Sequence, residues 1–509
     1  MHNLEMSEIQ ANPLIDRLIN LFRQNFSERN VFVIRVPGRV NLLGTHVDHR
    51  GGCLNYVALD RNFWIVGSKR TDSKTVAVHL SPAYEKTEFD IRENLPDASV
   101  EWETAIKNYK ISHHWTNYIK SPFVFLQHKM PEKRLIGCNL ACWGDIPQAA
   151  GLSSSSAVVT ASMIAACFVN NIELSEQQLI EYAGRSEWFV GTRGGWGDHA
   201  AMILCRKNKI CHMQFYPFKF EYFPFFKDTK IILINSMIEA KKSAAAKGIF
   251  NERIASYEIG FQLLKRKCGN KLQDVQRIRD INSENFKNAE EIYDLLLSIP
   301  ETITRHQLLE IFADSKDWLE TIFNTHPDPG IYRIRDVVSY GIFECERSRI
   351  CKEFLLKGDA ENFGNLMFIS HDGDRVTRYE DGKEYPWAWH MDDHRIFSLK
   401  QKIKNHQYDW HIHLQPGHYA CSTKEIDFIV DCLKEIPGVY GAKITGAGLG
   451  GCVVVLAQNQ AVTEVKETIT QRYFKKIIYL LKFMSLIHVM AQQFIKTTVF
   501  DYILGSKKK

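Results

Sequence analysis

The twelve cysteines of this 509-residue chain include no Cys-x-x-Cys pair, which excludes the spacing most typical of zinc and dithiol redox sites. Several lie in apolar stretches such as AACFV (165–169) and GGCVVVL (450–456). We therefore expect buried free thiols in a reducing compartment, with the cytoplasm as the location.

The sequence also contains no uninterrupted run of about 20 apolar residues, so we expect no membrane span. The opening MHNLEMSEIQANPLIDRLINLF carries acidic residues and lacks the apolar core of a signal peptide. The 64 basic and 59 acidic residues are interleaved. Because no basic stripe with aromatic residues is present, we expect no nucleic-acid partner.

What is present indicates an α+β protein with two lobes. The length exceeds the roughly 250–300 residues at which single cores stop growing, and strand patterns followed by helical periodicity occur in both halves. We predict a helix over 12–26, a strand Val31–Val36 broken by Pro37 and Gly38, a helix over 176–190 and a strand over 230–236 that opens the second lobe. Residues 250–365 are mainly helical in pattern, and 372–416 is an insertion without a clear pattern.

The segment GDIPQAAGLSSSSAVVTAS (144–162) places a serine run between a predicted strand and a predicted helix. Helix N-termini leave about four N–H groups unsatisfied and bind phosphate well. The run lacks the Gly-Lys-[Ser/Thr] ending of a P-loop and the second glycine of a nucleophile elbow. The alternative interpretation is an N-cap whose small residues allow tight helix packing.

Two further clusters make the pattern specific: VPGRVNLLGTHVDHRGG (36–52) and GAKITGAGLGGCVVVL (441–456). Together with PQAAGLSSSSA they resemble the three motifs of the GHMP kinases. The first resembles the galactokinase version, P-G-R-V-N-L-x-G-E-H-x-D, and weaker similarities occur in WTNYIK (115–120), GGWGDHAAM (194–202) and LLKGDAENFGNLMFISH (355–371).

The resemblance implies a two-lobed GHMP kinase fold. Residues 1–225 would form an N-terminal lobe similar to ribosomal protein S5 domain 2 and 226–473 a ferredoxin-like C-terminal lobe, with 474–509 unassigned. ATP would lie between the lobes, with Mg²⁺ held by Ser155 and Glu187. The ATP-binding residues it implies are Gly151, Leu152, Ser153, Ser154, Ser155, Ser156, Trp115, Tyr118, Gly446 and Gly448.

The resemblance also implies catalytic roles for Asp198, which stands where galactokinases carry the Asp of G-I-M-D-Q, and for Arg39, which would keep it ionised. The implied substrate-binding residues are Thr45, His46, Asp48, Gly197 and Phe250. Structural alternatives remain for several of these residues. Arg39–Asp198 would be an ordinary ion pair, Glu187 a solvated helix residue, and Trp115 with Tyr118 plain core.

Thr45 departs from the galactokinase motif, where a Glu accepts a hydrogen bond from the 6-hydroxyl of the sugar. Its loss removes that acceptor and a negative charge that would repel a 6-carboxylate. HVDHRGG also resembles the H-x-D-H-x-G-G of galacturonokinases, and Phe250 stands near the usual sugar-facing Tyr. The favoured acceptor is galacturonic acid, whose carboxylate Arg50 or Arg193 could bind bidentately; a pentose such as arabinose stays open.

The sequence thus predicts an ATP-dependent kinase for the anomeric 1-hydroxyl of a galactose-like monosaccharide. The alternatives are galactokinase proper and a non-catalytic sugar and ATP sensor of the same fold. A kinase for a non-sugar alcohol fits the His46–Asp48 pair poorly. His411, His413 and HMDDH (390–394) lack a coherent third metal ligand, so we interpret them as packing or surface histidines. The oligomeric state stays open.

Overall fold

The computed structural model describes residues 12–28, 30–107, 114–191, 194–239, 244–286, 288–380 and 382–475, with the backbone of 505–506. Arg193 and most of the 474–509 tail, which we left unassigned, lie outside the described residues. None of the helices described is long and apolar enough to span a membrane.

Helices and strands alternate through both halves of the chain, which confirms the mixed, two-lobed architecture. The α-helices are α1 (Pro13–Asn25), α2 (Trp102–Ala105), α3 (Thr116–Lys129), α4 (Ser154–Val169), α5 (Glu176–Glu187), α6 (Gly197–Leu204), α7 (Ala244–Cys268), α8 (Ala289–Leu297), α9 (Arg305–Ile311), α10 (Lys316–Phe323), α11 (Ile334–Lys357), α12 (Ala360–Asp374), α13 (Asp393–Lys404), α14 (Lys424–Lys434) and α15 (Val462–Ile469). The strands are β1 (Phe32–Leu43), β2 (Cys53–Lys69), β3 (Lys74–His79), β4 (Thr87–Asp90), β5 (Cys138–Gly144), β6 (Lys209–Gln214), β7 (Lys219–Pro224), β8 (Thr229–Asn235), β9 (Thr377–Glu380), β10 (Lys383–Pro386), β11 (Val439–Ile444), β12 (Cys452–Gln458) and β13 (Gly505–Ser506).

The first sheet has the strand order β13-β1-β2-β5-β3-β4, and β6 joins it beside β2 and carries β7. The long strand β2 pairs with β1 along its length, with β6 at one end and with β5 at the other. Different helices cover the two faces of this sheet. Helix α1 packs on Val33 and Trp64, whereas α3–α6 cover Ile34 and Val36 on the other face, as alternating strand side chains require.

Strand β1 runs through Pro37 and Gly38, so the predicted break after Val36 is wrong. The pairing with β2 shifts register between Pro37 and Arg39 instead. A bulge of this kind accommodates a proline, which cannot donate to the ladder, without ending the strand. The consequence is that Arg39 remains on a rigid strand.

The second sheet has the order β11-β12-β8, with both pairs antiparallel. Helices α14 and α15 pack on it through a core that includes Ile426, Ile429 and Val465. The strand predicted over 230–236 is confirmed as β8. The predicted boundary at 225/226 falls in the turn between β7 and β8, and the division of the chain into domains stays a prediction.

The helices between 244 and 357 form a separate core that contains Tyr340. Met391 of the 372–416 insertion and Tyr419 beyond it belong to the same core. The insertion contains the hairpin β9–β10 and helix α13. Helix α11 crosses behind β1 and β2 and carries buried charged residues toward them. The cysteines are all free, and all except the half-buried Cys268 are buried, which confirms the expectation for the thiols.

Candidate active site

Two glycine-rich loops from different lobes pack backbone against backbone. Gly151 (φ +74°) precedes α4 and Gly446 (φ +86°) follows β11. A Cβ on Gly446 would lie 2.6 Å from the Gly151 carbonyl oxygen, and one on Gly151 would lie 2.5 Å from that of Thr445. The Cys452 N–H donates to the Ala150 carbonyl at 3.1 Å. The second and third sequence motifs are therefore joined in space, while Gly448 lies against Cys421.

Helix α4 begins at Ser154, directly after Ser153 in the left-handed conformation (φ +54°). Leu152 is buried and Ser156 is nearly so, whereas Ser154 and Ser155 are half-exposed. The first-turn N–H groups of such a helix have no intrahelical acceptors. This helix start has the N–H donors that an anion site needs, and its role in phosphate binding stays a prediction.

Arg39 connects this loop to Asp198, which lies in the first turn of α6. Its Nε and Nη2 donate to the two carboxylate oxygens of Asp198 at 2.7 Å each. Its Nη1 donates to the Gly151 carbonyl at 2.8 Å, and Ser153 is hydrogen-bonded to both charged groups. Arg39 is buried, whereas the Asp198 side chain is 30% exposed, so the carboxylate borders the cleft.

Burial opposes ionisation of Asp198, but the charge and hydrogen bonds of Arg39 and the hydroxyl of Ser153 outweigh it and lower the pKa to about 2. A lowered carboxylate pKa stabilises the folded state above the unfolded pKa, and this contribution disappears as pH falls. The difference in unfolding free energy between the wild type and Asp198→Asn should therefore be constant above pH 5 and shrink from about pH 4 to pH 2. Urea unfolding at pH 2.5–7 measures it, and a difference that stays constant down to pH 2.5 would contradict the assignment.

Asp48 faces the same cleft as Asp198. Its carboxylate lies against the backbone of Gly195 and Gly197, where a Cβ on Gly195 would approach Oδ2 to 1.9 Å. Burial alone would raise the pKa of Asp48. The 3.0 Å hydrogen bond with His49 and the charge of that residue outweigh burial, so the net shift of the pKa is downward. Asp48 is therefore an ionised acceptor beside Asp198.

His46 has a left-handed backbone (φ +61°) and sits within an aromatic cage. Its ring stacks on Tyr419 at 4.5 Å and lies 6.3 Å from Phe250 and 6.2 Å from Tyr340. Its Nε2 lies 3.4 Å from Oδ1 of the buried Asp374. The predicted substrate residues thus lie around one region, on the segment that follows β1, at the start of α6 and on α7: Thr45, His46, Asp48, Gly197 and Phe250.

Thr45 is held from behind by buried charges that the sequence analysis missed. Glu344 of α11 accepts the N–H groups of Gly44 and Thr45 at 2.9 and 3.2 Å. Its other oxygen accepts Arg347, and both side chains have zero exposure. Lys443 donates to the Thr45 hydroxyl, and burial lowers the pKa of this ammonium despite Glu344 and Asp374. Thr45, which stands where the galactokinase motif has a Glu, is therefore next to a buried amine.

Arg50 lies two residues beyond Asp48 and is also buried. Its Nη1 donates to the His46 carbonyl at 2.9 Å, and its guanidinium lies over Tyr257 and 5.4 Å from the Tyr419 ring. Its Nε and Nη2 have no hydrogen-bond partner within the described part of the chain. A buried guanidinium with two unused donors is suited to a carboxylate.

Glu187 ends α5 as a nearly buried residue rather than on a solvated face. Its Oε2 accepts the hydroxyl of Ser156 at 2.8 Å and lies 3.0 Å from Nε2 of His199. The structure thus brings Ser156 to Glu187, while the pairing of Ser155 with Glu187 at a metal ion stays a prediction. These hydroxyl and carboxylate oxygens are the hard ligands that Mg²⁺ prefers.

Trp115 precedes α3, in which Tyr118 is half-buried. The Trp115 ring lies 5.5 Å from Tyr84 and 5.8 Å from His79, and Gln148 of the serine loop donates to the Tyr84 hydroxyl. The buried indole N–H has no acceptor among the described residues. Trp115 thus forms part of an aromatic group beside the serine loop, and its indole N–H could donate a hydrogen bond to a ligand.

The histidines of the HIH (411–413) and HMDDH (390–394) segments have different surroundings. His411 stacks on Trp410 at 3.8 Å and His413 is buried, so both are packing residues as predicted. The prediction that HMDDH lacks a third ligand is wrong. His390 lies with Asp336 and His418, which are distant in sequence, in one cluster of possible metal ligands.

Known proteins with similar sequences were found for both lobes. Residues 117–206 match the GHMP kinases N terminal domain, 20–69 the galactokinase galactose-binding signature and 393–476 the GHMP kinases C terminal family. The galactokinase of Dictyostelium discoideum is 25% identical over 89% of this chain and 86% of its own length. That of Enterococcus faecalis is 24% identical over 91% of this chain and 95% of its own.

The fold has a counterpart among solved structures. The crystal structure of Lactococcus lactis galactokinase complexed with galactose superposes with a TM-score of 0.66 at 20% identity. The superposition covers 97% of this chain and 100% of the Lactococcus lactis chain. The chain therefore contains a galactokinase galactose-binding signature followed by the N-terminal and C-terminal domains of the GHMP kinases.

Proposed function

We propose that the protein is an ATP-dependent sugar kinase that phosphorylates the anomeric hydroxyl of a galactose-like monosaccharide. The observation that carries the proposal is the fork from Arg39 to Asp198, which holds a carboxylate between an anion-binding helix start and Asp48. The galactokinase names of the relatives support the same reaction class.

The cleft has groups that fit ATP and Mg²⁺. The start of α4 offers N–H donors to phosphates, and the spare indole N–H of Trp115 marks a place for the base. Glu187 would hold Mg²⁺ together with Ser155 or with Ser156, which already donates to it. When bound, the ion neutralises charge on the phosphates as the phosphoryl group moves.

Asp198 acts mainly by orienting the sugar. With a pKa of about 2 it stays ionised at neutral pH and accepts a hydrogen bond from the 1-hydroxyl. As the oxygen–phosphorus bond forms and the bond to ADP breaks, the hydroxyl proton passes to this carboxylate. Because phosphoryl transfer is loose, alignment and charge neutralisation contribute more than base strength.

For the acceptor, we propose a sugar with a carboxylate at C6, galacturonic acid. Three observations support it: Thr45 supplies no negative charge, Lys443 lies directly behind it, and Arg50 keeps two unused donors. Galactose is the competing acceptor, favoured by the galactose-binding signature over 20–69. A charge-assisted hydrogen bond contributes about 1.5–3 kcal/mol, so the two sugars should differ by roughly 10–100-fold in kcat/KM.

The test is ATP consumption with galacturonate, galactose, arabinose, glucuronate and N-acetylgalactosamine. We expect galacturonate to be used best by the wild type and Thr45→Glu to reverse the preference, since the new carboxylate would pair with Lys443 and repel the substrate. Thr45→Gln is the matched control, because it fills the same volume without charge and should not reverse it.

The outcomes separate the two parts of the proposal. A wild type that uses galactose best would contradict the C6 assignment and keep the kinase. Binding of ATP and sugar without turnover of any sugar in the panel would contradict the kinase and favour the sensor interpretation.

A further inference from the structure

Asp336, His390 and His418 form a compact ligand group outside the candidate active site. Each offers one ligand atom, and these atoms lie within 4.8 Å of one another. Nδ1 of His390 is 2.7 Å and Nδ1 of His418 is 3.7 Å from the same oxygen of Asp336, Oδ2. Ligands at 2.0–2.1 Å from a tetrahedral zinc ion are separated by roughly 3.3 Å, a value that these two distances bracket.

The three residues come from separate segments that the backbone already ties together. Asp336 is in the first turn of α11, and its other oxygen accepts the Met391 N–H at 2.8 Å. The His418 N–H donates to the Asp336 carbonyl at 3.3 Å. Arg395 donates to the His390 carbonyl at 2.7 Å. The group is therefore positioned before any ion binds.

Burial differs across the group in a way that suits an ion entering from solvent. The side chains of Asp336 and His418 are 7% and 11% exposed, whereas that of His390 is 36% exposed. Two cations lie nearby: Arg395, which interacts with the charge of Asp336 and is held by the His390 carbonyl, and Arg333, whose Nη1 is 3.5 Å from His390 Nδ1 and 3.9 Å from Asp336 Oδ2. Since Arg333 is 52% exposed, its side chain can rotate into solvent when a metal ion enters.

We propose that Asp336, His390 and His418 bind a divalent transition-metal ion of the zinc class, with water in the remaining position. Two imidazoles and one carboxylate form a mixed nitrogen and oxygen set that suits zinc, whereas Mg²⁺ prefers oxygen alone. The ion cross-links α11 to the loops around 390 and 418. The next residue along, Tyr419, stacks on His46, so the cross-link fixes a wall of the cleft.

The test is Zn²⁺ titration of the full chain after dialysis against a chelator, followed by calorimetry and by the thermal midpoint. We expect one ion per chain and a midpoint that rises with Zn²⁺ concentration. His390→Gln and His418→Gln should each weaken binding by roughly 10–100-fold or more. Co²⁺ in place of Zn²⁺ reports the ligand geometry by its visible absorption.

His394→Gln is the matched control, because His394 belongs to the same HMDDH motif but is exposed and lies outside the cluster. It should bind Zn²⁺ as the wild type does. No stoichiometric binding by the wild type, or equal binding by the wild type and both cluster variants, would overturn the proposal and leave Asp336 as a hydrogen-bonding partner of two histidines.

Discussion

Asp198→Asn is expected to lower kcat by about 10²–10⁴, the usual contribution of a positioned acid–base group. The amide keeps the size of the side chain but cannot accept the proton of the sugar hydroxyl. It also places an N–H₂ group beside Arg39 or Ser153, which breaks the bidentate fork. The affinity for ATP should change little, because the N–H groups of α4 remain. Steady-state kinetics and nucleotide titration measure the two effects.

Asp274→Asn is the control, since Asp274 is an exposed aspartate outside the cleft and should leave kcat unchanged. Asp198→Asn with wild-type kcat and unchanged sugar KM would contradict the catalytic assignment. A variant that loses activity together with its folded circular dichroism spectrum would instead point to an ordinary ion pair, the structural alternative for Arg39 and Asp198.

Glu344→Ala is expected to lower the free energy of unfolding by about 3–5 kcal/mol, as removal of one partner from a buried ion pair does. Arg347 would remain charged at zero exposure, and the N–H groups of Gly44 and Thr45 would lose their acceptor. The loop that carries Thr45, His46 and Asp48 should loosen, so the KM for sugar should rise in the protein that still folds. Urea unfolding and kinetics measure the two effects.

Glu353→Ala is the matched control because Glu353 lies on the same helix but is exposed, and it should change stability by less than about 0.5 kcal/mol. Equal stabilities for the two variants together with an unchanged sugar KM would contradict the role given to Glu344. A raised sugar KM without a change in stability would show that Glu344 acts on the loop alone.

The motifs were readable in the sequence because each is local. A glycine, four serines and an apolar stretch indicate a helix start, and α4 begins within the serine run. The closeness of Arg39 and Asp198, 159 residues apart, came from the family resemblance. Composition and periodicity carry no information about which distant residues meet.

The support behind the site was not predictable for the same reason. Glu344 reaches Thr45 from 299 positions away and Lys443 from 398. In the sequence, both look like the charged residues of solvated faces. Only the path of α11 behind β1 and β2 shows that they are buried. The group of His390, His418 and Asp336 was missed likewise, since two of its three residues lie outside the histidine-rich motif.

The serine run shows the limit at single-residue scale. Successive residues on a helix point about 100° apart, so the choice between Ser155 and Ser156 depends on where the first turn begins. The left-handed Ser153 sets that phase, and no residue preference predicts such a backbone at serine. The prediction for Asp198 depended less on where its helix begins, because Arg39 contacts its carboxylate from the fixed strand β1.

The contact between Gly151 and Gly446 joins the two loops through their main chains. A hinge that opened the cleft at this point would have to separate two main chains and break the Cys452–Ala150 hydrogen bond. In amide hydrogen exchange, the two loops should gain or lose protection together, as a single cooperative unit.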